Sequence, residues 1–452
     1  MQHLNHSMMD RYEIPGHIPT ALAGVQFGAD AALLGVADRL IDDAGLNLGL
    51  ACVETGSDGA AARLAAQDGL FTLIVRGYQN EAPVKREQVV QCLIRCDASM
   101  EALALEPALE LALIHADAEN PGLDLAARLL ETRREAGLKG LSFICLAEDA
   151  DGPDTVREAI RAQAELGDWL DAECAFYPAL AEGLAFRAEA DEAAKLCGEM
   201  NYLDTMLHLA EPFATLAIQA PEAFRQRWPL DRAEGIAFVD DLAPRFALKR
   251  RFWDAGLFAM TAPGWLLGCD TLRDCMTHER LRAFVGNCFT RELLPGVDAA
   301  EYVIRCFERF ENPLNRNRLL RAGNRLLDRF ERGALPVVRA WAEENFEPPR
   351  HLAYALAATV MLYAGARKNA ETGRYEVARG KETQAIDDDP DRLAIFATLS
   401  HDMPPETLAY AALADRDLWH GADLREIDGL EARVALDIAA MQRAPGTLPE
   451  EE

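Results

Sequence analysis

A change in hydrophobic periodicity about halfway along the chain constrains its fold most strongly. Up to about residue 239, short apolar runs alternate with amphipathic segments, which is the pattern of a βαβ sheet covered by helices. From about residue 245 to Met441 the periodicity is helical almost throughout. We therefore predict an α/β fold with a Rossmann-like, doubly wound N-terminal domain followed by an all-α C-terminal domain.

The apolar runs of the first half predict strands, and the amphipathic segments between them predict helices. The predicted strands are 23–27, 50–54, 70–75, 110–114, 141–145, 216–219 and 235–239, and the predicted helices include 31–41, 123–134 and 155–166. The predicted domains are an N-terminal arm (1–19), a Rossmann-like domain (20–240), a helical C-terminal domain (241–442) and a disordered tail (443–452). The polar segment 367–390 carries two glycines, which is typical of a surface loop between helices.

Charge and composition exclude several classes of function. A formal net charge of -28 over 452 residues repels phosphate backbones, so nucleic acids and anionic membranes are not expected as partners. The sequence has neither a run of about 18 apolar residues nor an apolar segment at its start, and we expect a cytoplasmic protein. The ten cysteines lack the C-x2-C spacing of a zinc site. We therefore predict reduced thiols and no metal.

The segment GVQFGADAALLG at 24–35 is the first candidate for a binding site. A strand that ends at Gly28 and leads into a helix near Ala31 would direct backbone amides at a ligand above the strand, which suits a pyrophosphate. The segment lacks the G-x-G-x-x-G pattern, and on its own it indicates a dinucleotide only weakly.

Seven short runs, taken in order, give a more specific indication. They are VQFG (25–28), QDGLFTLIVRG (67–77), AEPFATLAIQAP (210–221), VDD (239–241), GCDTL (268–272), RFENP (309–313) and DLWHGADLREIDGL (417–430). From about residue 22 to 440 the chain resembles the mannitol dehydrogenase family, and within it the tagaturonate reductase (altronate oxidoreductase) branch. This resemblance implies a Rossmann-like domain that binds NAD(H), a helical C-terminal domain, no metal, and a lysine that acts as acid and base in hydride transfer.

The resemblance also implies which residues hold the cofactor. They are Phe27, Gly28, Ala29, Asp30, Glu54, Asp68 and Glu119. The family has a second glycine and an arginine where this chain has Asp30 and Leu34. A carboxylate at Asp30 would oppose a pyrophosphate, although aspartate is equally favoured as a helix N-cap. Glu54 could bind ribose hydroxyls and favour NAD over NADP, but an exposed glutamate at a strand end needs no such role.

The family's catalytic helix carries a lysine, an asparagine five residues later and a histidine three residues after that. The matching positions here are Lys249, Asp254 and Leu257. A carboxylate at Asp254 would favour the charged ammonium form of Lys249, and leucine cannot donate to an alkoxide. We predict Lys249 and Asp254 as the catalytic residues, with an ion-paired structural lysine as the other interpretation.

Residues further along the chain match the substrate side of the family's site. The resemblance assigns substrate binding to Arg309, whose guanidinium could hold a carboxylate, and to Asn312, which together with Pro313 could equally be structural. Five arginines recur every three to four positions at Arg318, Arg321, Arg325, Arg329 and Arg332. This spacing predicts a basic stripe along one helix face, most simply a solvated surface paired with acidic residues.

The resemblance therefore predicts an NAD(H)-dependent oxidoreductase. Its partner would be a small molecule, either a tagaturonate-like ketohexuronate or a polyol. An alternative is a catalytically degenerate homologue, a pseudoenzyme that binds a sugar acid or a protein partner without hydride transfer. A third possibility is altered chemistry in which Asp254 titrates instead of Lys249.

Overall fold

The structure is a computed structural model that describes residues 1–56, 59–79, 82–93, 96, 100–312, 318–380, 382–444 and 446–449. The chain divides into two compact units, Met1–Phe246 and Ala247–Glu452. The domain limits deduced from the sequence remain predictions. No helix among the described residues is long and apolar enough to cross a membrane.

Unit 1 (Met1–Phe246) contains most of the strands. These are β1 (Gln2–His3), β2 (Ala21–Phe27), β3 (Leu48–Val53), β4 (Leu70–Gln79), β5 (Ala82–Cys92), β6 (Leu111–His115), β7 (Ser142–Leu146), β8 (Ala175–Glu182), β9 (Ala185–Arg187), β10 (Tyr202–Leu203), β11 (His208–Ala210), β12 (Thr215–Gln219) and β13 (Ile236–Val239). Its helices are α1 (His6–Tyr12), α2 (Asp38–Asp43), α3 (Ala60–Ala65), α4 (Met100–Ala104), α5 (Gly122–Glu135), α6 (Gly152–Gln163), α7 (Asp168–Glu173), α8 (Ala190–Met200), α9 (Glu222–Arg227) and α10 (Ala243–Leu248), with a π-helical turn at Leu33–Ala37 and a 3-10 turn at Leu230–Arg232.

A seven-stranded sheet forms the centre of unit 1, with the strand order β13-β12-β8-β7-β6-β2-β3. Every neighbouring pair is parallel except β8 and β12. Side chains on its two faces enter separate apolar cores, Val25 and Phe27 on one side and Leu50 and Leu113 on the other. Burial on both faces is typical of parallel sheets, and the predicted Rossmann-like fold class is confirmed.

Two details of the predicted sheet are wrong. The strand predicted at 70–75 is β4, which belongs to a separate four-stranded sheet of order β5-β4-β11-β9. The long hairpin partner β5 pairs antiparallel with it. In the central sheet its place is taken by β8, which was not predicted because its sequence, AFYPALAE, contains a proline and little alternation of polar and apolar residues.

Unit 2 (Ala247–Glu452) is mainly helical. Its helices are α11 (Ala255–Leu266), α12 (Leu272–Thr277), α13 (Glu279–Asn287), α14 (Ala300–Glu311), α15 (Leu319–Ala322), α16 (Leu326–Arg329), α17 (Leu335–Asn345), α18 (Arg350–Tyr363), α19 (Pro390–Phe396), α20 (Pro405–Ala414) and α21 (Leu430–Arg443). π-Helical turns occur at Lys249–Asp254, Cys288–Leu293 and Phe330–Ala334, and a 3-10 turn at Leu424–Glu426.

The surface loop predicted at 367–390 is wrong. It contains a three-stranded antiparallel sheet made of β14 (Arg367–Lys368), β15 (Tyr375–Arg379) and β16 (Glu382–Ala385). The second half is therefore not entirely helical. Within these strands only Val377 is buried, at 4% exposure, so the sequence shows no apolar alternation that would indicate strands.

Part of the tail predicted to be disordered from residue 443 is packed against unit 2. Leu448 is 2% exposed, and Arg280 donates a hydrogen bond to its carbonyl oxygen at 3.3 Å. Tyr354 donates to the carbonyl of Thr447. The prediction of disorder is wrong for these described residues because an apolar side chain in the segment is buried.

Candidate functional site

The first candidate site lies where the strand order of the central sheet reverses. Strand β2 pairs with β3 along one edge and with β6 along its other edge. In open α/β sheets, ligands bind at the carboxyl ends of strands at such a switch point. Here β2 ends at Phe27, which is followed by Gly28, and β6 ends at His115.

Gly28 allows the tight turn at the end of β2. Its φ of +114° disfavours any side chain, and an added Cβ would lie 3.1 Å from the Oγ1 of Thr55. The Gly28 amide donates to the carbonyl of Val53 at 3.0 Å, and the buried Gln26 donates from Nε2 to the Gly28 carbonyl at 2.9 Å. The turn is therefore fixed from both sides, with its backbone open to close approach by a ligand.

Asp30 begins the helix that follows this turn. Its Oδ1 accepts the amides of Ala32 at 2.8 Å and Leu33 at 3.2 Å, so the N-cap interpretation is confirmed. Its Oδ2 lies 2.9 Å from the Nε2 of His115 at the end of β6. Both side chains are partly exposed. The carboxylate that should repel a pyrophosphate therefore has a cationic partner.

The pKa values of this pair shift in opposite directions. Burial acts to raise the pKa of Asp30, but the hydrogen bond and charge of His115, together with the two backbone amides, outweigh it and hold the pKa below its usual 3.8. Burial acts to lower the pKa of His115, but the hydrogen bond and charge of Asp30 raise it above the usual 6.5, with help from Glu148 and Asp117. The pair is therefore ionic between these two values.

Glu54 follows β3, the neighbour of β2. Its Oε1 accepts the amide of Gly56 at 3.2 Å, and its Oε2 accepts that of Ala61 at 2.8 Å. Glu54 thus stabilises the beginning of α3, as acidic residues near helix N-termini do. It follows Val53, whose carbonyl accepts the amide of Gly28, and so lies beside the turn at Gly28.

The hydrogen bonds of Asp68 and Glu119, two other predicted cofactor residues, lie away from the turn at Gly28. Asp68 lies at the turn before β4, in the other sheet, and accepts the amide of His6 at 3.0 Å. Glu119 is exposed in the turn after β6, where its amide donates to Asp117 at 3.1 Å. Asn120, which the sequence did not single out, fixes this turn by donating to the carbonyl of His115 at 2.9 Å and accepting the amide of Gly122 at 2.9 Å.

The second candidate site is the π-helical turn Lys249–Asp254 in unit 2. A π-helix makes i to i+5 hydrogen bonds, so residues five apart lie near one another, and single π turns are frequent at functional sites. Lys249 Nζ accordingly donates to Asp254 Oδ2 at 3.3 Å. Their side chains are only 12% and 8% exposed. The two predicted catalytic residues therefore form a buried ion pair.

A second cation contacts the other oxygen of this carboxylate. Arg329, at the end of α16, donates from Nη1 to Asp254 Oδ1. Asn324 holds the same guanidinium through two hydrogen bonds. Its backbone carbonyl accepts from Arg329 Nε at 2.7 Å, and its Oδ1 accepts from Arg329 Nη2 at 3.1 Å. The sequence interpretation missed this role because Arg329 is 75 residues from Asp254.

The surroundings of this turn are tightly packed. An added Cβ on Gly333 would lie 2.5 Å from the carbonyl oxygen of Arg250, so a glycine is needed where the turn at Phe330–Ala334 approaches it. Leu257, at the position of the family's histidine, is fully buried. This position therefore serves the core of unit 2 and presents no polar group.

Arg309 is buried next to the same turn. It is 5% exposed, and its guanidinium lies 3.5 Å from the centre of the Trp253 ring. Trp253 in turn stacks on Phe310 at 5.0 Å, so the two rings set the orientation of the guanidinium. Asn312 is 2% exposed at the end of α14, and Pro313 lies outside the described residues.

The predicted basic stripe on one helix face is wrong. Residues 318–332 form two short helices, α15 and α16, separated where Arg325 has a φ of +53°. The left-handed conformation of Arg325 interrupts the helix there, so the spacing of the arginines in sequence does not place them on one face. Pairing with acidic residues does occur, as in Arg325 with Asp328 at 2.6 Å.

Comparison with curated proteins finds relatives along almost the entire chain. Altronate oxidoreductase of Escherichia coli O7:K1 (strain IAI39 / ExPEC) is 26% identical over 483 aligned positions, covering 96% of this chain and 97% of the relative. Altronate oxidoreductase of Shigella flexneri gives the same identity and coverage. No family model matches the chain.

Solved structures show the same fold. The ternary complex of Pseudomonas fluorescens mannitol 2-dehydrogenase with NAD and D-mannitol is similar with a TM-score of 0.76 and 17% identity, over 98% of this chain and 97% of that one. A substrate-free D-sorbitol dehydrogenase is similar with a TM-score of 0.71 and 17% identity, over 98% of both chains.

Proposed function

We propose that this chain is an NAD(H)-dependent oxidoreductase. Its relatives confirm the resemblance to the mannitol dehydrogenase family and its altronate oxidoreductase branch. Its substrate would be a sugar acid of the ketohexuronate class, or a polyol, which it interconverts between ketone and secondary alcohol. The observation that carries the proposal is the buried Lys249 with Asp254 and Arg309 around one π-helical turn.

The switch point of unit 1 supports NAD(H) as the cofactor. The glycine turn, fixed by Gln26, would let a pyrophosphate approach the backbone of Phe27, Gly28 and Ala29. Glu54 would bind the ribose hydroxyls. The charge of Asp30 opposes binding, but its ion pair with His115 offsets it. These residues fit the cofactor, which when bound would exchange a hydride with the substrate carbon.

Lys249 would move the proton that accompanies the hydride. During reduction its ammonium gives a proton to the ketone oxygen as that oxygen becomes a hydroxyl, and during oxidation its neutral amine takes the proton back. Asp254 accepts a hydrogen bond from the ammonium at 3.3 Å and so favours the charged form. We therefore expect ketone reduction to be the efficient direction at neutral pH.

Arg309 would select substrates that carry a carboxylate. A guanidinium matches a carboxylate with two parallel hydrogen bonds, and stacking on Trp253 holds this one in a single plane. A hexuronate offers such a carboxylate and a polyol does not. We therefore rank sugar acids above polyols as substrates.

The test is turnover of NADH by the purified protein with D-tagaturonate, D-fructuronate and D-fructose. We expect NADH fluorescence to rise saturably on binding, and the uronates to oxidise NADH faster than D-fructose. Lys249→Ala should lower the rate by about 10²- to 10⁴-fold with NADH binding unchanged. Lys368→Ala, which removes an exposed lysine of unit 2, is the matched control. No binding at millimolar NADH, or equal rates for the two variants, would overturn the proposal.

We also propose that the protein works in the cytoplasm. All ten cysteines lie among the described residues, none of them forms a disulfide bond there, and eight are buried. A reducing compartment keeps such thiols free.

A further inference from the structure

Unit 2 contains a cavity that lies apart from the residues proposed to carry the reaction. Its volume is about 480 Å³, within the range of small-molecule sites. It lies beside α13, the beginning of α18 and the described chain end at Leu448 and Pro449. Lys249, Asp254, Arg309 and Arg329 are absent from its lining.

Three arginines line this cavity, Arg280, Arg291 and Arg350, against one carboxylate, that of Glu279. This local positive charge is unusual in a chain with a net charge of -28. Other arginines of unit 2 form ion pairs with acidic residues, as Arg282 does with Glu311 at 2.6 Å. The lining therefore favours an anionic ligand.

Two of the three guanidinium groups have unused donors. The side chain of Arg291 makes no hydrogen bond or ion pair with any residue that the structure describes. The Nε of Arg350 is buried without a hydrogen-bond partner among the described residues. A buried donor without a partner is destabilising, so a ligand that accepts from these arginines is favoured. Arg280 uses Nη2 on the carbonyl of Leu448 at 3.3 Å.

His351 adds a polar group to the lining, and Glu292 sets its orientation. Glu292 Oε1 lies 2.6 Å from His351 Nδ1 and accepts the His351 amide at 2.7 Å, while its Oε2 accepts the amide of Leu352 at 3.0 Å. The contact with Glu292 occupies Nδ1 and leaves Nε2 as the other hydrogen-bonding atom of the ring. Nε2 makes no hydrogen bond to a described residue and can form one with a ligand hydroxyl.

The amides at the beginning of α18 are not available to a ligand. Glu292 already accepts the amides of His351 and Leu352. The arginines must therefore bind the anion, and the helix end only positions Arg350. Phe284 and Leu448 are 3% and 2% exposed and form an apolar wall of the cavity. The carbon skeleton of a ligand would pack against this wall.

From this lining we infer a second binding site for a small hydroxylated organic anion. A carboxylate or phosphate group would accept from Arg291 and Arg350, and a hydroxyl would form a hydrogen bond with His351 Nε2. The inference does not depend on the proposed function, because it rests on a separate cavity and can be tested without turnover.

The test is calorimetric titration of the full chain with two probes that are not hexuronates, D-glycerate as the carboxylate probe and D-glucose 6-phosphate as the phosphate-ester probe. We expect saturable binding of at least one probe. Arg291→Gln and Arg350→Gln should each raise its Kd about tenfold or more, the loss expected for one charge-assisted hydrogen bond. Arg291 is exposed, so its substitution leaves the fold intact. Inorganic phosphate, which lacks a carbon skeleton, should bind more weakly than the organic probe.

Two controls separate this site from other arginines. Arg282 lies on α13, the helix that carries Arg280, but outside the cavity. Arg282→Gln should therefore leave the Kd unchanged. Arg309→Lys changes the proposed substrate residue and should also leave it unchanged. Absence of binding by both organic probes, a Kd unaffected by Arg291→Gln, or equal losses in Arg282→Gln would each overturn the inference.

Discussion

Both candidate sites carry a carboxylate where the family resemblance predicts an uncharged residue, but they accommodate it differently. In unit 1, Asp30, which the resemblance matches to a glycine, pairs with the partly exposed His115. In unit 2, Asp254, which the resemblance matches to an asparagine, lies between Lys249 and Arg329 at 8% side-chain exposure. One carboxylate faces solvent and a titratable partner, whereas the other is buried between two cations.

The difference shows how each site can still function. A partly exposed carboxylate costs little and can be neutralised by one histidine, so its effect on a ligand depends on pH. A buried carboxylate needs permanent cations, because an uncompensated buried charge is strongly destabilising. We therefore expect substitutions around Asp254 to change stability and proton transfer, and those around Asp30 to change cofactor affinity.

The largest effect should follow Arg329→Met. Loss of the arginine leaves Asp254 with Lys249 alone, and breaking a buried pair from one side costs about 3–5 kcal/mol. The free energy of unfolding, measured by urea denaturation, should fall by this amount. The double variant Arg329→Met, Asp254→Asn should recover much of the loss. The control Arg282→Met, which breaks an exposed pair, should cost less than about 1 kcal/mol; equal losses would refute the asymmetry between the sites.

Asp254→Asn should alter the pH dependence of alcohol oxidation. Without the carboxylate, Lys249 more readily reaches the neutral form that accepts a proton. The pH at which the oxidation rate is half-maximal should fall by about one to three units, the usual effect of a nearby opposite charge. The rate of ketone reduction at neutral pH should fall in parallel. An unchanged oxidation profile would mean that Lys249 does not carry the proton.

Asp30→Gly should strengthen NADH binding. It removes a negative charge near the expected pyrophosphate, while replacing an N-cap residue by glycine costs only a few tenths of a kcal/mol. For a partly exposed charge we expect a gain of about 1 kcal/mol, or roughly a fivefold lower Kd, measured by NADH fluorescence. Asp154→Gly, which removes an exposed carboxylate elsewhere in unit 1, is the control. A weaker Kd in Asp30→Gly would contradict the proposed position of the cofactor.

The smallest effect should be a pH dependence of NADH affinity. The pKa of His115 is raised in the folded protein, so its pairing with Asp30 is complete below about pH 6.5 and is lost as pH rises through the raised value. The lowered pKa of Asp30 maintains the pair down to below pH 3.8. NADH affinity should therefore weaken a few-fold on the alkaline side, and His115→Ala should weaken binding and remove this dependence. A slope that persists in His115→Ala would assign it to another group.

The sequence could predict the central sheet but not the small one. Strand β2 was predicted because Val25 and Phe27 are buried within a sheet covered on both faces, which gives a continuous apolar run. Strand β15 contributes only Val377 to a core, and a polar sheet has no periodic signal. Pairing between strands such as β8 and β12 depends on contacts distant in sequence.

At the sites, the sequence indicated the carboxylates but not the groups that compensate them. The five-residue spacing of Lys249 and Asp254 already indicated proximity, and the π turn explains the geometry. Arg329 and His115 lie 75 and 85 residues from their carboxylate partners, and no local pattern reveals such contacts. The cavity at Arg291 was missed for the same reason.

The most direct test of the account is transfer of deuterium from deuterated NADH to D-tagaturonate. The central claim is that hydride transfer persists because both carboxylates are compensated by cations. The account predicts that the unaltered protein places deuterium on the carbon of the newly formed secondary alcohol, as measured by mass spectrometry, and that Lys249→Ala does so far more slowly. An alcohol product without deuterium, or no product at all when NADH is bound, would contradict it.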